Sequence, residues 1–262
     1  MSFSLSGFRT VVTLSQIKLS PDVLSIREAY VDEFGAAPED RGGWYPRDDW
    51  QRISFVLDAI GRHGRFLDVG VGAGQFVNAV ARAHRFDEIH GLDRIRFNKY
   101  LELDDGIVRH EGSIADLPFP DDHFDVVTCM EVLEHLPEDA YEVGIAELRR
   151  VCRGQLLMSV PYEEPEPIFR GHNRRYEFAE LRRDFPDAEL VCLGRQTMPW
   201  ALMEEWCGSG ENPQRLRLAA CEAAMREIPR GQPPTSALRR VARRLPAPAA
   251  SVLRRGRAAV RR

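Results

Sequence analysis

Four groups of residues in this chain have types and spacings that could do chemistry. The first is Asp68-Val69-Gly70-Val71-Gly72-Ala73-Gly74, three alternate glycines behind a carboxylate. Glycines in that pattern let a backbone turn sharply and approach a ligand with no Cβ in the way. A carboxylate two residues before the first glycine suits a ligand with a cationic amino group better than one with a pyrophosphate. The second is Asp93, 19 residues past Gly74, an acid able to accept two hydrogen bonds from a ribose diol. The third is Glu131-Val132-Leu133-Glu134-His135-Leu136-Pro137, and the fourth is Gly171-His172-Asn173-Arg174-Arg175-Tyr176. His135 and His172 are candidate general bases toward a substrate hydroxyl. Their bland alternatives are a helix-start residue that bonds backbone and a loop anchor. Glu131, Glu134 and His135, with the acidic loop Glu163 to Glu166, offer oxygen and nitrogen donors for a divalent cation that binds a diol, although spacing does not establish one. Arg174 and Arg175 read as partners of an anionic or sugar substrate, or as solvated charges.

These groups need an α/β scaffold to converge. Phe66, Leu67 and Val69 make a short buried strand into the glycine turn, and Gln75 to His84 has helical spacing. Further strands are expected at Glu88–Asp93, Ile107–His110, within Asp122–Met130, at Gln155–Val160 and over 188–197. Helices are expected at 21–34, at about Asp48–Ile60, at Glu138–Val151 with Gly154 as C-cap, from Glu177, and over 199–228. The predicted fold is a Rossmann-like, doubly wound, mostly parallel sheet of seven strands, one of them antiparallel. Ligands in such sheets bind at the carboxyl ends of the strands, where all four groups fall. Residues 1–20 alternate weakly, as in a strand or a loose arm.

The glycine motif lacks the sixth-position glycine of a dinucleotide fingerprint, Gln75 standing there. Together with Asp68 this argues against an NAD-dependent oxidoreductase. Asp68 to Gly74 resembles the first motif of class I S-adenosylmethionine-dependent methyltransferases, and Phe124 to Leu136 closely resembles the type-11 subgroup. The Gly-His and Arg-Tyr pattern at 171–176 is also similar to that subgroup. The likeness runs over roughly 45–200. It implies that Asp68, Gly70, Gly72 and Gly74 wrap the methionine part of S-adenosyl-L-methionine, that Asp93 takes its ribose, and that Ser113, Ile114 and Met130 complete the cofactor set. Ser113 stands where the family usually has Asp, so charge assistance to the adenine amino group is lost there; Asp116 reads as structural. His135, His172 and Glu131 become the catalytic candidates. Trp44, Tyr45 and Arg47 become candidates for a lid, while Trp50 reads equally well as packing.

Composition bounds the rest. At 262 residues, 44% apolar and 29% charged, the chain has core enough for one domain with an appendage. It shows no basic and apolar leader and no apolar run of spanning length. Five scattered cysteines without a Cys-x-x-Cys pair fit a reducing cytoplasm rather than disulfides or structural zinc. Beyond residue 230 there are nine arginines and no acid, so a body of −13 carries a tail of +9. Leu238, Val241, Ala242 and Leu245 oppose four arginines there; readings are adsorption to an anionic membrane surface, nucleic-acid contact, or a tail that is disordered or folded back on the acidic body, and the last is expected. Nothing interleaves aromatics with bases as an RNA-binding face would, which argues against nucleic acid. Trp200, Leu202, Met203 and Trp206 suggest a substrate wall, a homodimer interface or, as expected, core.

The organisation that follows is an N-terminal arm and helix over 1–40, a methyltransferase domain with C-terminal substrate-side helices over 41–230, and a basic, flexible tail over 231–262. The expected activity is O-methylation of a hydroxyl on a sugar or other small polyhydroxylated metabolite. N- or C-methylation of a small molecule and a non-catalytic cofactor-binding module are the alternatives.

Overall fold

The computed structural model describes residues 7–8, 10–14, 17–35, 47–61, 64–83, 86–97, 100–102, 106–166, 168–194 and 199–209. Trp44, Tyr45, the side chain of Arg47, Cys221 and the arginine-rich tail lie outside the described residues. The elements are β1 (Thr10–Val12), α1 (Pro21–Phe34), α2 (Arg47–Ala59), β2 (Arg65–Val69), α3 (Gln75–Arg82), β3 (Glu88–Asp93), β4 (Ile107–Glu111), β5 (Phe124–Met130), α4 (Glu138–Val151), β6 (Cys152–Pro161), α5 (Phe178–Asp184), β7 (Glu189–Leu193) and β8 (Trp200–Trp206). A single 3-10 turn, Leu133–His135, follows β5.

Local chemistry explains the boundaries of α1. Ser20 is its N-cap, the hydroxyl accepting from the Val23 N–H at 3.2 Å, and Pro21 occupies the first turn, where a missing N–H costs nothing. Gly35, at φ 81°, ends it by donating its N–H to the Val31 carbonyl.

The strands form one sheet in the order β1-β7-β8-β6-β5-β2-β3-β4. All pairings are parallel except those of β8, which runs antiparallel between β6 and β7. The sheet is thus Rossmann-like as expected, with eight strands rather than seven. The extra one is β1, from the unplaced N-terminal stretch, which pairs Thr10 with Val191 and Val12 with Leu193.

Side-chain alternation separates two layers. Leu67 and Val69 of β2 join Phe124, Cys129, Leu156, Met158 and the α4 residues Tyr141, Ile145 and Leu148 in one cluster. Phe66 points the other way and meets Phe76 of α3, ring centroids 6.2 Å apart. On that side α1 packs on α2 and α3.

Two expected elements are corrected. The helix foreseen over 199–228 is strand β8 over Trp200–Trp206, and residues 207–209 are not helical; residues 210–228 lie outside the described residues. Its Ala201 and Met203 enter the α4-side cluster while Trp200 and Leu202 are buried on the opposite side. A strand buried on both faces has no polar alternation, so its apolar run imitates a helix. Gly154 is not a C-cap either, because α4 passes directly into β6. It lies in a β-bulge where Arg153 and Gly154 face Asp125 alone, and a Cβ on it would stand 2.3 Å from the Asp125 carbonyl oxygen. Gly154→Ala is therefore expected to cost about 1–3 kcal/mol by overpacking, read as a lower midpoint in urea denaturation.

Candidate active site

The order β3-β2-β5 reverses the winding of the sheet, and the crevice beyond the carboxyl ends of β2 and β5 is where such folds take ligands. Three loops open there, after β2, β3 and β5.

The loop after β2 is the glycine turn. Gly70, Gly72 and Gly74 have φ of 83°, 58° and 90°, values that an L side chain would strain against. A Cβ on Gly70 would overlap Val132 Cγ2 at 2.1 Å, so this glycine lets the β2 and β5 loops touch. A Cβ on Gly72 would meet nothing nearer than the Gly70 carbonyl at 4.0 Å, which leaves space for a ligand to approach the backbone. The loop is held from three sides. Gly70 N–H donates to the Leu92 carbonyl at 2.8 Å, Gly72 N–H to Asp93 Oδ2 at 2.8 Å, and the Tyr30 hydroxyl of α1 to the Ala73 carbonyl. Inside α3, Asn78 Nδ2 donates to Gly74 O at 2.8 Å and Leu101 O at 2.9 Å.

Asp68 ends almost wholly buried, its Oδ1 accepting from the Thr128 hydroxyl at 2.7 Å. Burial lifts its carboxyl from 3.8 to about 7, with Thr128 pulling the other way and Asp93 adding to the rise. A cation arriving beside it would relieve that penalty. Asp93 places Oδ1 3.2 Å from the Ile95 N–H besides its bond to Gly72. It therefore shapes the turn as well as offering oxygens to a diol. Glycine turn, buried acid and strand-end acid fit a nucleoside cofactor that carries a cationic amino group.

The other expected cofactor residues divide. Met130 is half-buried at the end of β5. The Ser113 hydroxyl accepts from the Ala115 N–H at 3.2 Å, so it closes its own turn, and Asp116 N–H donates to the Ser113 carbonyl, a structural role. Ile114 buries its side chain against Gly144, leaving its backbone as the part toward a ring.

After β5 the chain bends at Glu131, a non-glycine residue at φ 58°. Such a conformation costs of order 1 kcal/mol and must be held from outside. Glu131 N–H donates to the Ser159 carbonyl at 3.0 Å, and its Oε1 accepts from the Ser159 hydroxyl at 2.7 Å and from Arg52 at 3.4 Å. Arg52, buried in α2, also donates to Ser159 Oγ at 2.9 Å and Asp49 at 3.1 Å, and lies over the Trp200 ring. Burial raises the Glu131 carboxyl above its usual range against the pull of Arg52.

The 3-10 turn and the 171–173 loop are tied together. Asn173 N–H donates to the Glu134 carbonyl at 2.7 Å, Asn173 Nδ2 to the His135 carbonyl at 2.8 Å, and His135 Nδ1 to the Gly171 carbonyl at 3.0 Å. The rings of His135 and His172 stand 4.8 Å apart, edge to face. His172 Nδ1 meets Glu164 Oε2 at 2.7 Å, both side chains nearly buried, and Glu164 Oε1 accepts from the Phe169 N–H at 2.8 Å. Glu134 is buried with Oε2 unpartnered, and burial followed by the charge of Glu131 lifts its carboxyl well above the usual range. His135 and His172, 37 residues apart, are thus brought together. The expected cation set of Glu131, Glu134, His135 and the 163–166 acids is not assembled: Glu164 is spent on His172, Glu131 on Arg52 and Ser159. Thr128, Arg52, Tyr30, Asn78 and Glu164 acting on His172 escaped the sequence reading. Only Arg52, an arginine on the apolar face of a helix, carried a visible signal.

Residues 67–157 match the family model described as a methyltransferase domain, type 11. Among curated proteins, a fatty-acid O-methyltransferase of Mycolicibacterium smegmatis is 31% identical over 140 residues, 51% of this chain and 46% of that protein. A ubiquinone biosynthesis O-methyltransferase of Alkalilimnicola ehrlichii is 32% identical over 158 residues, 57% and 59% of the two chains. The chain therefore spans about half the length of the curated relatives it matches. Of solved structures, the [4+2]-cyclase SpnF superposes with a TM-score of 0.52 at 18% identity, covering 78% of this chain and 100% of that one. The small RNA methyltransferase HEN1 gives 0.53 at 19%, covering 68% and 28%. Both structural likenesses concern the fold alone.

Asp68 makes a pH prediction. With its native pKa near 7 and its unfolded one near 3.8, the folded chain holds a proton that the unfolded chain has lost between those values. Stability should therefore fall as pH rises through that window and level off above it. Asp68→Asn, which keeps an acceptor for Thr128, should match the wild type near pH 4 and exceed it by roughly 2–4 kcal/mol at pH 8, read by urea denaturation at each pH.

Proposed function

We infer that this chain, which carries a class I S-adenosylmethionine-dependent methyltransferase domain of the type-11 group, transfers a methyl group to a hydroxyl of a small molecule. The observation that carries the reading is the crevice itself, where a cofactor-shaped cradle at Asp68, Gly70, Gly72, Gly74 and Asp93 opens beside a paired His135 and His172. Both curated relatives are named as O-methyltransferases.

When bound, S-adenosylmethionine supplies a methyl group made electrophilic by its sulfonium. The remaining work falls to the protein. Asp68 would meet the cationic amino group, and Asp93 would keep the glycine turn in shape while accepting from the ribose. The backbone at Ser113 and Ile114 would meet the adenine, and Met130 would flank the crevice. Orienting an acceptor against the reacting carbon is worth about 7–11 kcal/mol when well realised. A hydroxyl acceptor must also lose its proton, and His172 is the proposed group to receive it at Nε2, because Glu164 holds its Nδ1. His135, fixed by Gly171, would hold the acceptor oxygen, and Glu131 would keep the β5 turn in place through Arg52 and Ser159.

The proposed acceptor class is a sugar or other polyhydroxylated metabolite. The support is the cluster of polar groups Glu134, His135 and His172, with the Arg174–Glu138 pair on the neighbouring loop and helix. The relatives' named acceptors, a fatty acid and a ubiquinone precursor, are the comparison in an acceptor screen.

Calorimetric titration tests the cofactor assignment: S-adenosylmethionine and S-adenosylhomocysteine should bind and NAD should not. Asp93→Asn should weaken both by about 10–100-fold, the worth of a hydrogen bond to a charged group. Binding of NAD, or of none of the three, would overturn the assignment. His172→Gln should lower turnover by about 10²–10⁴-fold with cofactor binding unchanged; equal turnover in that variant would leave a cofactor-binding module as the better description.

A further inference from the structure

We propose that Glu134, His135 and His172 form a binding site for a divalent first-row transition cation, open on one side to a pair of neighbouring acceptor oxygens. Each of the three presents a ligand atom within 4.8 Å of the other two. Three ligands at about 2.0–2.2 Å round one cation stand roughly 3–3.6 Å apart, so side-chain rotations that close the longest separation by about 1 Å would complete the set.

The hydrogen bonds around the histidines determine which nitrogen is offered. A carbonyl can only accept, so His135 Nδ1, 3.0 Å from the Gly171 oxygen, carries the proton. His172 Nδ1 donates in the same way to Glu164 at 2.7 Å. In the neutral ring each leaves Nε2 as a lone pair. Histidine ligands of metals are held in this way, by a carboxylate or a carbonyl on the far nitrogen. Both arrangements occur here, on two residues whose rings nearly touch.

The third donor supplies independent support. Glu134 is 1% exposed and its Oε2 has no hydrogen-bond partner. A buried carboxylate oxygen left unsatisfied is expensive, and a cation held with the two imidazoles would satisfy it. Arg52 adds its charge from a distance but spends its hydrogen bonds on Asp49, Glu131 and Ser159. Asn173 bonds the carbonyls of Glu134 and His135 and so fixes the backbone that presents them.

Two imidazoles and one carboxylate suit Mn²⁺, Fe²⁺, Co²⁺ or Zn²⁺ better than the all-oxygen preference of Ca²⁺ or Mg²⁺. Three protein ligands leave coordination positions open, and His135 lies at the exposed side of the cluster. A vicinal diol or a catechol has the two adjacent oxygens to fill such positions. That last assignment rests on the O-methyl transfer proposed above, with the bound cation rather than His172 Nε2 promoting loss of the acceptor proton to solvent; the cation site does not.

The test measures metal uptake without cofactor or acceptor. The full chain, stripped with chelator, is titrated with MnCl₂ and with ZnCl₂, and bound Mn²⁺ is followed by electron paramagnetic resonance. One equivalent should bind, and nitrogen couplings from two imidazoles should appear in the spin-echo modulation. Glu134→Gln, His135→Ala and His172→Ala should each weaken uptake at least 100-fold, and Glu164→Gln, which loosens the His172 ring, about 10–100-fold. Circular dichroism and thermal unfolding of the apo variants check their folding, and the wild-type nitrogen couplings stand without any variant. Absence of uptake at millimolar metal, uptake without imidazole couplings, or uptake unchanged in all three ligand variants would overturn the proposal. A cation that binds as described in a protein that fails to bind S-adenosylmethionine would leave the site standing and remove only its link to methyl transfer.

Discussion

The pairing of β2 with β5 sets Asp68 directly across from Thr128, and much of the site depends on that register. Both residues are buried at the centre of a parallel sheet, where a carboxylate is tolerable only with a partner. A slip of one residue would turn Leu67 and Val69 away from the α4 side and take the Asp68 carboxylate from the hydroxyl that satisfies it. Because the register is fixed, the loops leaving β2 and β5 emerge side by side, and Gly70 can lie against Val132 with no room for a Cβ between them. The crevice is thus a consequence of strand pairing before any ligand is considered.

Around it, electrostatics are arranged by burial more than by surface charge. Asp68, Glu131 and Glu134 are all withdrawn from water and all lifted above the ordinary carboxylate range, but their surroundings differ. Asp68 has one hydroxyl, Glu131 has a buried arginine and a serine, and Glu134 has an oxygen with nothing. Removing one member of a buried ion pair leaves its partner uncompensated, so Arg52 and Glu131 are mutually dependent and also depend on the bend they hold. Of the three, the acid left with an unsatisfied oxygen, Glu134, is the one beside the paired histidines.

Much of this architecture was legible in the sequence because it rests on short-range signals. Ser20 and Pro21 announce α1, the glycine triplet announces the turn, and apolar runs bounded by turns announce β2, β3 and β5. The failures share one cause, namely that the deciding contact is distant in the chain. β8 looks helical because both of its faces are covered, and Gly154 looks like a cap because its neighbour across the bulge, Asp125, is 29 residues away. At the site, the types and positions of His135 and His172 were readable, but not that Asn173 would bond the turn carrying His135 or that Glu164 would turn toward a histidine. The acids at 163–166 looked like ligands for a cation because side-chain direction is invisible to spacing.

The Tyr30 hydroxyl on the Ala73 carbonyl has a consequence for how such a protein can diversify. Helix α1 lies outside residues 67–157, the segment that matches the family model, yet it grips the backbone of the glycine turn. Thermodynamic linkage then runs both ways: whatever stiffens α1 favours the ligand-ready turn, and a ligand that immobilises the turn stabilises α1 by the same free energy. Substitutions around Tyr30, Phe34 and Trp50, whose rings already cluster, would retune cofactor affinity without altering a single residue that touches the cofactor. The leading helix is in that sense an adjustable tension on a fixed grip, a part that a lineage can alter while the shared motif stays unchanged.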